Sequence, residues 1–273
     1  MILEDHLGDI IRKARLMTGI TSATAATAAN ISETALAALE DSGVSPAKIN
    51  LAALAEDIAL APEKLQGIAN GWLPAPVNLT RWRSLRQFVS SGEGLTVNVY
   101  LLWDDTTREA ALFDTGIDAQ PVLDCLTENH LQLRHIFLTH SHWDHVEALP
   151  KIRGARPQAH IHNSSPQAPV AQRNQPGKII RLGALNITHR ATPGHAVDGV
   201  TYVINGWPEN DIAVAIVGDT ILAGSMCNGD GQWELARTKI REEILTLPEA
   251  TLLCPGHGPL TTVSQEKLHN PFF

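Results

Sequence analysis

Three histidines and an aspartate fall within six residues, His140, His142, Asp144 and His145, directly behind the apolar run Ile136-Phe137-Leu138. Side chains two apart in extended backbone point the same way, so His140 and His142 can reach one metal ion together. The chain must then turn, and Asp144 and His145 face a second centre. Three more apolar runs lead into residues of the same kind: Ala191-Thr192-Pro193-Gly194-His195, IAVAIVGDT ending around Asp219, and TLLCPGHG with His257. Adding His195 to the first pair and His257 to the second gives three protein ligands per ion, with Asp219 left to bridge. Imidazole and carboxylate suit Zn²⁺, Fe or Mn²⁺, and a three-ligand site leaves room for water. Any one of these histidines alone would be read as a core residue making an ordinary hydrogen bond. Five histidines and two aspartates in this order, each at a strand end, are read as ligands.

The elements that must position them change character along the chain. Residues 1–72 are rich in Ala and Leu at helical spacing. Ser32, Asn50 and Pro62 are placed to start helices there. The stretch GWLPAPVNLT makes 73–84 a linker. From 85 to 273 short β-branched runs alternate with helical stretches, which predicts an α/β layered domain. Strands are expected at 95–103, 109–113, 135–138, 159–162, 185–189, 200–204, 212–217 and 251–254, and helices at 118–129, 144–149 and 233–245. Residues 163–177 are expected to form a long surface loop. In such sheets, sites are built in the crevice outside the strand ends.

The ordered set H-x-H-x-D-H, TPGH, GDT and PGHG resembles the metallo-β-lactamase superfamily, and within it the glyoxalase II-like hydrolases. The likeness runs from about residue 90 to 273 and takes in Asn98-Val99-Tyr100, the FDTG at 113–116 and the tail ending EKLHNPFF. It implies an αβ/βα sandwich and two divalent metal ions, zinc foremost, with iron or manganese as alternatives. Metal 1 would take His140, His142 and His195; metal 2 would take Asp144, His145 and His257; Asp219 would be shared. It further implies a metal-bridging hydroxide attacking an ester- or thioester-type carbonyl, with Asp144 orienting the nucleophile as the catalytic residue. A mononuclear-iron persulfide dioxygenase and a lactone hydrolase are alternatives on the same motif. The bridging aspartate and the absence of an export signal speak against an antibiotic-hydrolysing enzyme. His130, His135, His160, His162 and His189 fit no ligand position, and Cys227 is read as a small packing residue that could line the pocket.

The front end resembles a helix-turn-helix of the phage-repressor (Cro/C1) type, through IIRKARLMTGIT, the turn Asn30-Ile31-Ser32 and SETALAALEDSG. Its chemistry departs from that family. The would-be recognition helix exposes Glu33, Thr34, Ala37, Ala38 and Asp41, with none of the donors that read bases. Residues 1–75 hold five Lys/Arg and nine Asp/Glu, so 5 − 9 = −4, and duplex DNA would be repelled. The whole chain carries −8. Nucleic acid is therefore not expected as a partner, and a DNA-binding metal-dependent regulator is the competing class. The expected partner is a small-molecule substrate, with a homodimer or a cover over the active site as roles for the front helices. The start MILEDHLGDI shows no secretory pattern and no apolar run reaches membrane length, so a cytoplasmic protein is expected. Three cysteines without a CxxC fit a reducing compartment.

Overall fold

The computed structural model describes residues 2–92, 94–229 and 231–273. It begins with five short helices, α1 (Leu7–Thr18), α2 (Ser22–Ala28), α3 (Glu33–Ser42), α4 (Leu51–Asp57) and α5 (Pro62–Ala69). Their starts are set locally: Thr21, Ser32 and Asn50 accept hydrogen bonds from the amides of Thr24, Ala35 and Ala53, satisfying donors that have no partner inside the helix. Pro62 opens α5, where its missing N–H costs nothing.

Two sheets follow. The first runs β1 (Leu85–Gly92), β2 (Leu95–Trp103), β3 (Glu109–Phe113), β4 (Gln132–Phe137), β5 (His160–His162), in that spatial order. Its last two pairings are parallel, so helices must make the return. These are α6 (Gln120–Glu128), then α7 (Trp143–Val146) with α8 (Leu149–Ala155). The second sheet is ordered β11-β10-β9-β8-β7-β6. Its strands are β6 (Ile180–Leu182), β7 (Leu185–Ala191), β8 (Val200–Asn205), β9 (Val214–Gly218), β10 (Leu252–Pro255) and β11 (Thr261–Thr262). The crossover between the parallel strands β9 and β10 carries α9 (Trp233–Lys239), which runs on as a wider turn over Ile240–Ile244. α10 (Val263–His269) closes the chain.

Three apolar layers hold this together. Tyr100, Phe113 and Phe137 of the first sheet meet Tyr202, Ile204, Ile216 and Cys254 of the second. The outer face of the first sheet packs Leu101, Leu112 and Ile136 on Val122 and Leu126 of α6 and Ile152 of α8. The outer face of the second sheet is covered in one continuous cluster that contains Ile10, Leu36, Leu54 and Leu65 of the front helices together with Val203, Ala215, Val217, Leu253, Ile240 and Phe272. The result is a helix–sheet–sheet–helix sandwich in which the front helices belong to one outer layer. The stretch 73–84 is tied to the body: Ala75 N–H donates to Gln265 Oε1, and the buried Trp82 donates from Nε1 to the Ile212 carbonyl.

Several sequence expectations shift. The helix expected at 144–149 is two, α7 and α8: Glu147 and Ala148 keep right-handed helical backbone, but the Ala148 amide bonds the Gly116 carbonyl and Pro150 has no N–H to give, so the helical hydrogen-bond ladder is interrupted. β1, β6, β11 and α10 were not foreseen; β1 is an edge strand with Arg86, Gln87, Ser90 and Ser91 along it, so its pattern is too polar to signal. Among the described residues no helix is long and apolar enough to cross a membrane.

Candidate metal centre

The four strand ends converge at one edge of the sandwich. β4 delivers Thr139 and His140, and the turn into α7 carries His142, Asp144 and His145. β7 leads to His195, β9 to Asp219 and β10 to His257. All seven sequence-selected residues come together. Ligand atoms of His140, His142 and His195 lie within 4.8 Å of one another, as do those of Asp144, His145 and His257. A third group, His140, His145 and Asp219, joins the two. Asp219 Oδ2 is 3.5 Å from His195 Nε2, 4.0 Å from His140 Nε2 and 3.3 Å from His257 Nε2, while its Oδ1 is 3.3 Å from His145 Nε2. Asp144 Oδ2 lies 3.3 Å from His257 Nε2 and 3.6 Å from His145 Nε2.

These spacings test whether the residues fit metal ions. Two ligand atoms bound to one tetrahedral zinc at ordinary bond lengths sit about 3.4 Å apart. The observed separations bracket that value. His140 Nε2, His145 Nε2 and Asp219 Oδ1 are buried without any hydrogen-bond partner, and each such orphan costs roughly 1–3 kcal/mol. A cation at each group of donors satisfies all three, so the residues fit.

The other ring nitrogens are held from behind, which aims the free nitrogens inward. His145 Nδ1 bonds Asp114 Oδ2 at 2.8 Å. His257 Nδ1 bonds the Thr96 carbonyl at 2.6 Å, and His195 Nδ1 the Asn228 carbonyl at 2.8 Å. His140 Nδ1 faces Thr139 Oγ1 at 3.0 Å. Asp114 is itself fixed by the amide and hydroxyl of Thr139. The loop bearing His257 is clamped from the first sheet: Asn98 donates from Nδ2 to the carbonyls of Pro255 and Gly258, and Tyr100 from its hydroxyl to Pro255. Gly256 permits the closest approach, since a Cβ there would stand 2.1 Å from Asp219 Oδ1.

The electrostatics ask for positive charge. Burial disfavours a proton on His145, yet the carboxylates of Asp114 and Asp219 push it up to about 10. Burial also opposes charge on His257, and its hydrogen bonds to Asp144 and Asp219 push it up to about 11. Asp219 is held well below the usual carboxylate range despite its burial, by His145 and His257. His140 goes the other way: burial, then the charge of His145, keeps its imidazole neutral and ready to donate a lone pair.

A family model described as "Metallo-beta-lactamase superfamily" matches residues 92–173. The mitochondrial persulfide dioxygenase ETHE1 of Homo sapiens is 32% identical over 181 residues, spanning 63% of this chain and 69% of that protein. The solved structure of the BLEG-1 B3 metallo-beta-lactamase is 30% identical, with a TM-score of 0.57 over 69% of this chain and 98% of that one. The chain belongs to the metallo-β-lactamase superfamily. A further relative in the superfamily, the hydroxyacylglutathione hydrolase GloC of Haemophilus influenzae, is 29% identical over 202 residues, 64% of this chain and 92% of that protein.

Two residues of this superfamily member carry more than the sequence reading gave them. Asp114 entered only as part of FDTG; it is the buried orienter of His145. Cys227, read as a packing residue, is buried with its Sγ within 4.8 Å of the ligand atoms of His195 and Asp219. Burial, then the Asp219 charge, pushes its thiol well up. The unassigned His135 and His162 hydrogen-bond each other at 3.0 Å between β4 and β5, away from the centre. Burial lowers His135 to about 4 and His162 to about 3, which keeps this pair neutral.

Proposed function

We propose that this superfamily member is a dinuclear metal-dependent hydrolase of ester- or thioester-type substrates, glyoxalase II-like in its chemistry. The observation that carries the reading is Asp219, whose carboxylate lies between the two histidine sets, 3.5 Å from His195 and 3.3 Å from both His145 and His257. His140, His142 and His195 would hold one ion, Asp144, His145 and His257 the other, and Asp219 both. When bound, a pair of divalent cations supplies a water of lowered pKa and a Lewis acid for the carbonyl oxygen.

The remaining steps fall to the chain. Asp144 is held ionised against its burial by hydrogen bonding to His257 and by the charge of His145. Its Oδ2 faces His145 and His257, which leaves Oδ1 to accept a hydrogen bond from the attacking water and aim it at the carbonyl carbon. A thiolate is a good leaving group, so a thioester requires no general acid, and no serine or cysteine nucleophile is assigned.

The test is metal content per chain after purification without added metal, paired with hydrolysis of S-lactoylglutathione and simpler thioesters. Two equivalents with turnover support the reading. Asp219→Ala and His257→Ala are expected to lower occupancy and hydrolysis together; full activity in either overturns the dinuclear assignment. The 32% identity to human ETHE1 favours a second reading, a persulfide dioxygenase with one iron. One iron per chain with oxygen uptake on a persulfide would select it.

The same reading gives the front helices no role on duplex DNA. α3 leaves Glu33, Thr34, Ala37, Ala38 and Asp41 exposed. Of the basic cluster Arg12-Lys13-Arg15, Lys13 is paired with Asp5 and Arg15 with Glu40. Retention of duplex DNA in a low-salt gel shift, weakening steeply with added salt, would reverse this.

A further inference from the structure

We infer, resting on the hydrolase reading above, that α1 supplies a cationic subsite for the anionic end of the substrate's thiol-bearing half, with Arg12 as the recognition group. A cavity of about 350 Å³ lies between α1 and the loop after Cys227, lined by Asp9, Arg12, Lys13, Leu16 and Asn228. The spacing 9, 12, 13, 16 is one face of a helix, so α1 forms a single wall. The opposite wall is Asn228, whose carbonyl accepts the hydrogen bond from the metal-site His195. A ligand in the cavity is therefore one residue away from a side chain of the metal centre. Lys13 marks the same proximity, since its ammonium donates to the carbonyl of Met226, the residue before Cys227, whose Sγ sits against His195 and Asp219.

The charges in this cavity are not equivalent. Asp9 Oδ2 is engaged by the amide of His6 in the cap of α1. Lys13 is committed to Asp5 and to the Met226 carbonyl. The Arg12 side chain is exposed and makes no hydrogen bond or ion pair to any described residue. A guanidinium offers two parallel N–H donors that match a carboxylate, so an unengaged arginine in a cleft beside the centre selects a planar anion. In a chain of net charge −8, with Asp144, Asp219 and Glu4 around the metal site, an anionic substrate arm needs such a counter-charge to approach. The exposed Leu16 at the cavity edge covers the apolar stem of the arm.

The experiment uses the metal-loaded full chain, with Arg12→Glu and Arg12→Ala. Initial rates are measured on S-lactoylglutathione, whose thiol half carries carboxylates, and on the neutral thioester S-acetyl-N-acetylcysteamine. Glutathione binding is measured separately by calorimetry. Arg12→Glu is expected to raise KM for the anionic thioester by on the order of tenfold with kcat within about twofold, leaving the neutral thioester unchanged. Glutathione should bind about tenfold more weakly to it, and Arg12→Ala should fall between. An unchanged KM and an unchanged glutathione affinity in Arg12→Glu overturn the subsite while leaving hydrolysis standing. If the wild type hydrolyses neither thioester, the hydrolase reading fails, and glutathione binding alone decides: loss in Arg12→Glu upholds the subsite, and no binding, or binding indifferent to Arg12, overturns it.

Discussion

Asp114 holds a φ of 56°, a left-handed conformation that costs a non-glycine residue free energy. What it gains is three hydrogen bonds, two to Thr139 and one to His145. The backbone strain therefore serves the aim of one ligand ring. Asp114→Asn keeps the size and removes the charge, so His145 loses both its fixed tautomer and the carboxylate bonded to its Nδ1. We expect metal affinity to drop by about 10–100-fold, read by competition with a chelating dye; unaltered affinity would mean that Asp114 only packs. Gly256→Ala is expected to be harsher at the centre, because the new methyl would fall on Asp219 Oδ1. The variant should bind less than its full metal complement, and full stoichiometry would show that Asp219 can move aside. Four of the seven ligands were legible because their spacing is local, 140, 142, 144 and 145 lying within six residues, and His195, Asp219 and His257 because each stands beside glycine in TPGH, GDT and PGHG at the end of a strand. Asp114 was not, since its role exists only through a ring 31 residues further on. Cys227 was legible only as a packing residue that could line the pocket, as only the path of the loop after Asp219 brings its sulfur back to His195.

At the level of elements, α10 shows how a helix with little sequence signal can fix a loop of the site. Its Glu266 is fully buried and accepts from the Gly224 amide, the Asn270 amide group and the Thr261 hydroxyl. That ties α10 to the loop between Asp219 and Cys227. Burial raises its carboxyl to about 7 in spite of those donors. A folded pKa above the unfolded one means that the protonated form carries the stability. The contribution is fully present below about 4.5 and is lost as pH rises through about 7. Wild type should therefore lose on the order of 3 kcal/mol relative to Glu266→Gln between pH 4.5 and 8. Melting temperatures of both proteins across that range check it, and parallel curves would show that Glu266 does not titrate there. Of the strands that bear ligands, β9 and β10 announced themselves as apolar runs ending at Gly218 and Pro255, and β4 through Ile136-Phe137-Leu138. β1 and α10 did not, because each shows polar side chains along most of its length and owes its existence to a neighbour: β1 to the long antiparallel register with β2, α10 to the buried bonds of Glu266.

Across the whole molecule, the front helices and the second sheet share one apolar cluster, so the two parts of the chain stabilise each other. Removing residues 1–73 would strip their side chains from the cluster that also holds Val203, Val217, Leu253 and Phe272, all now at 4% exposure or less. At about 1.5–3 kcal/mol for each large apolar side chain returned to water, the loss rivals the roughly 5–15 kcal/mol that holds an ordinary domain folded. Polar ties across the same boundary point the same way: Lys13 to Met226, Ser225 to Asp5, Lys64 to the Phe273 carbonyl, and the Ala61 amide to Pro271. The full chain should consequently unfold in a single calorimetric transition, and a chain of residues 74–273 should aggregate or bind the dye that marks exposed apolar surface. Two separate transitions, or a monodisperse 74–273 protein with native near-ultraviolet dichroism, would establish the helices as an appended module. The distinction reaches the site as well. Asp5 bonds Ser225 and Lys13 bonds Met226, both in the loop that leads into Cys227 and Asn228, and Asn228 holds His195. If the layers fold as one unit, loosening the front helices by Glu40→Ala, which leaves the half-buried Arg15 without its partner, should weaken metal binding at a site those helices do not ligate.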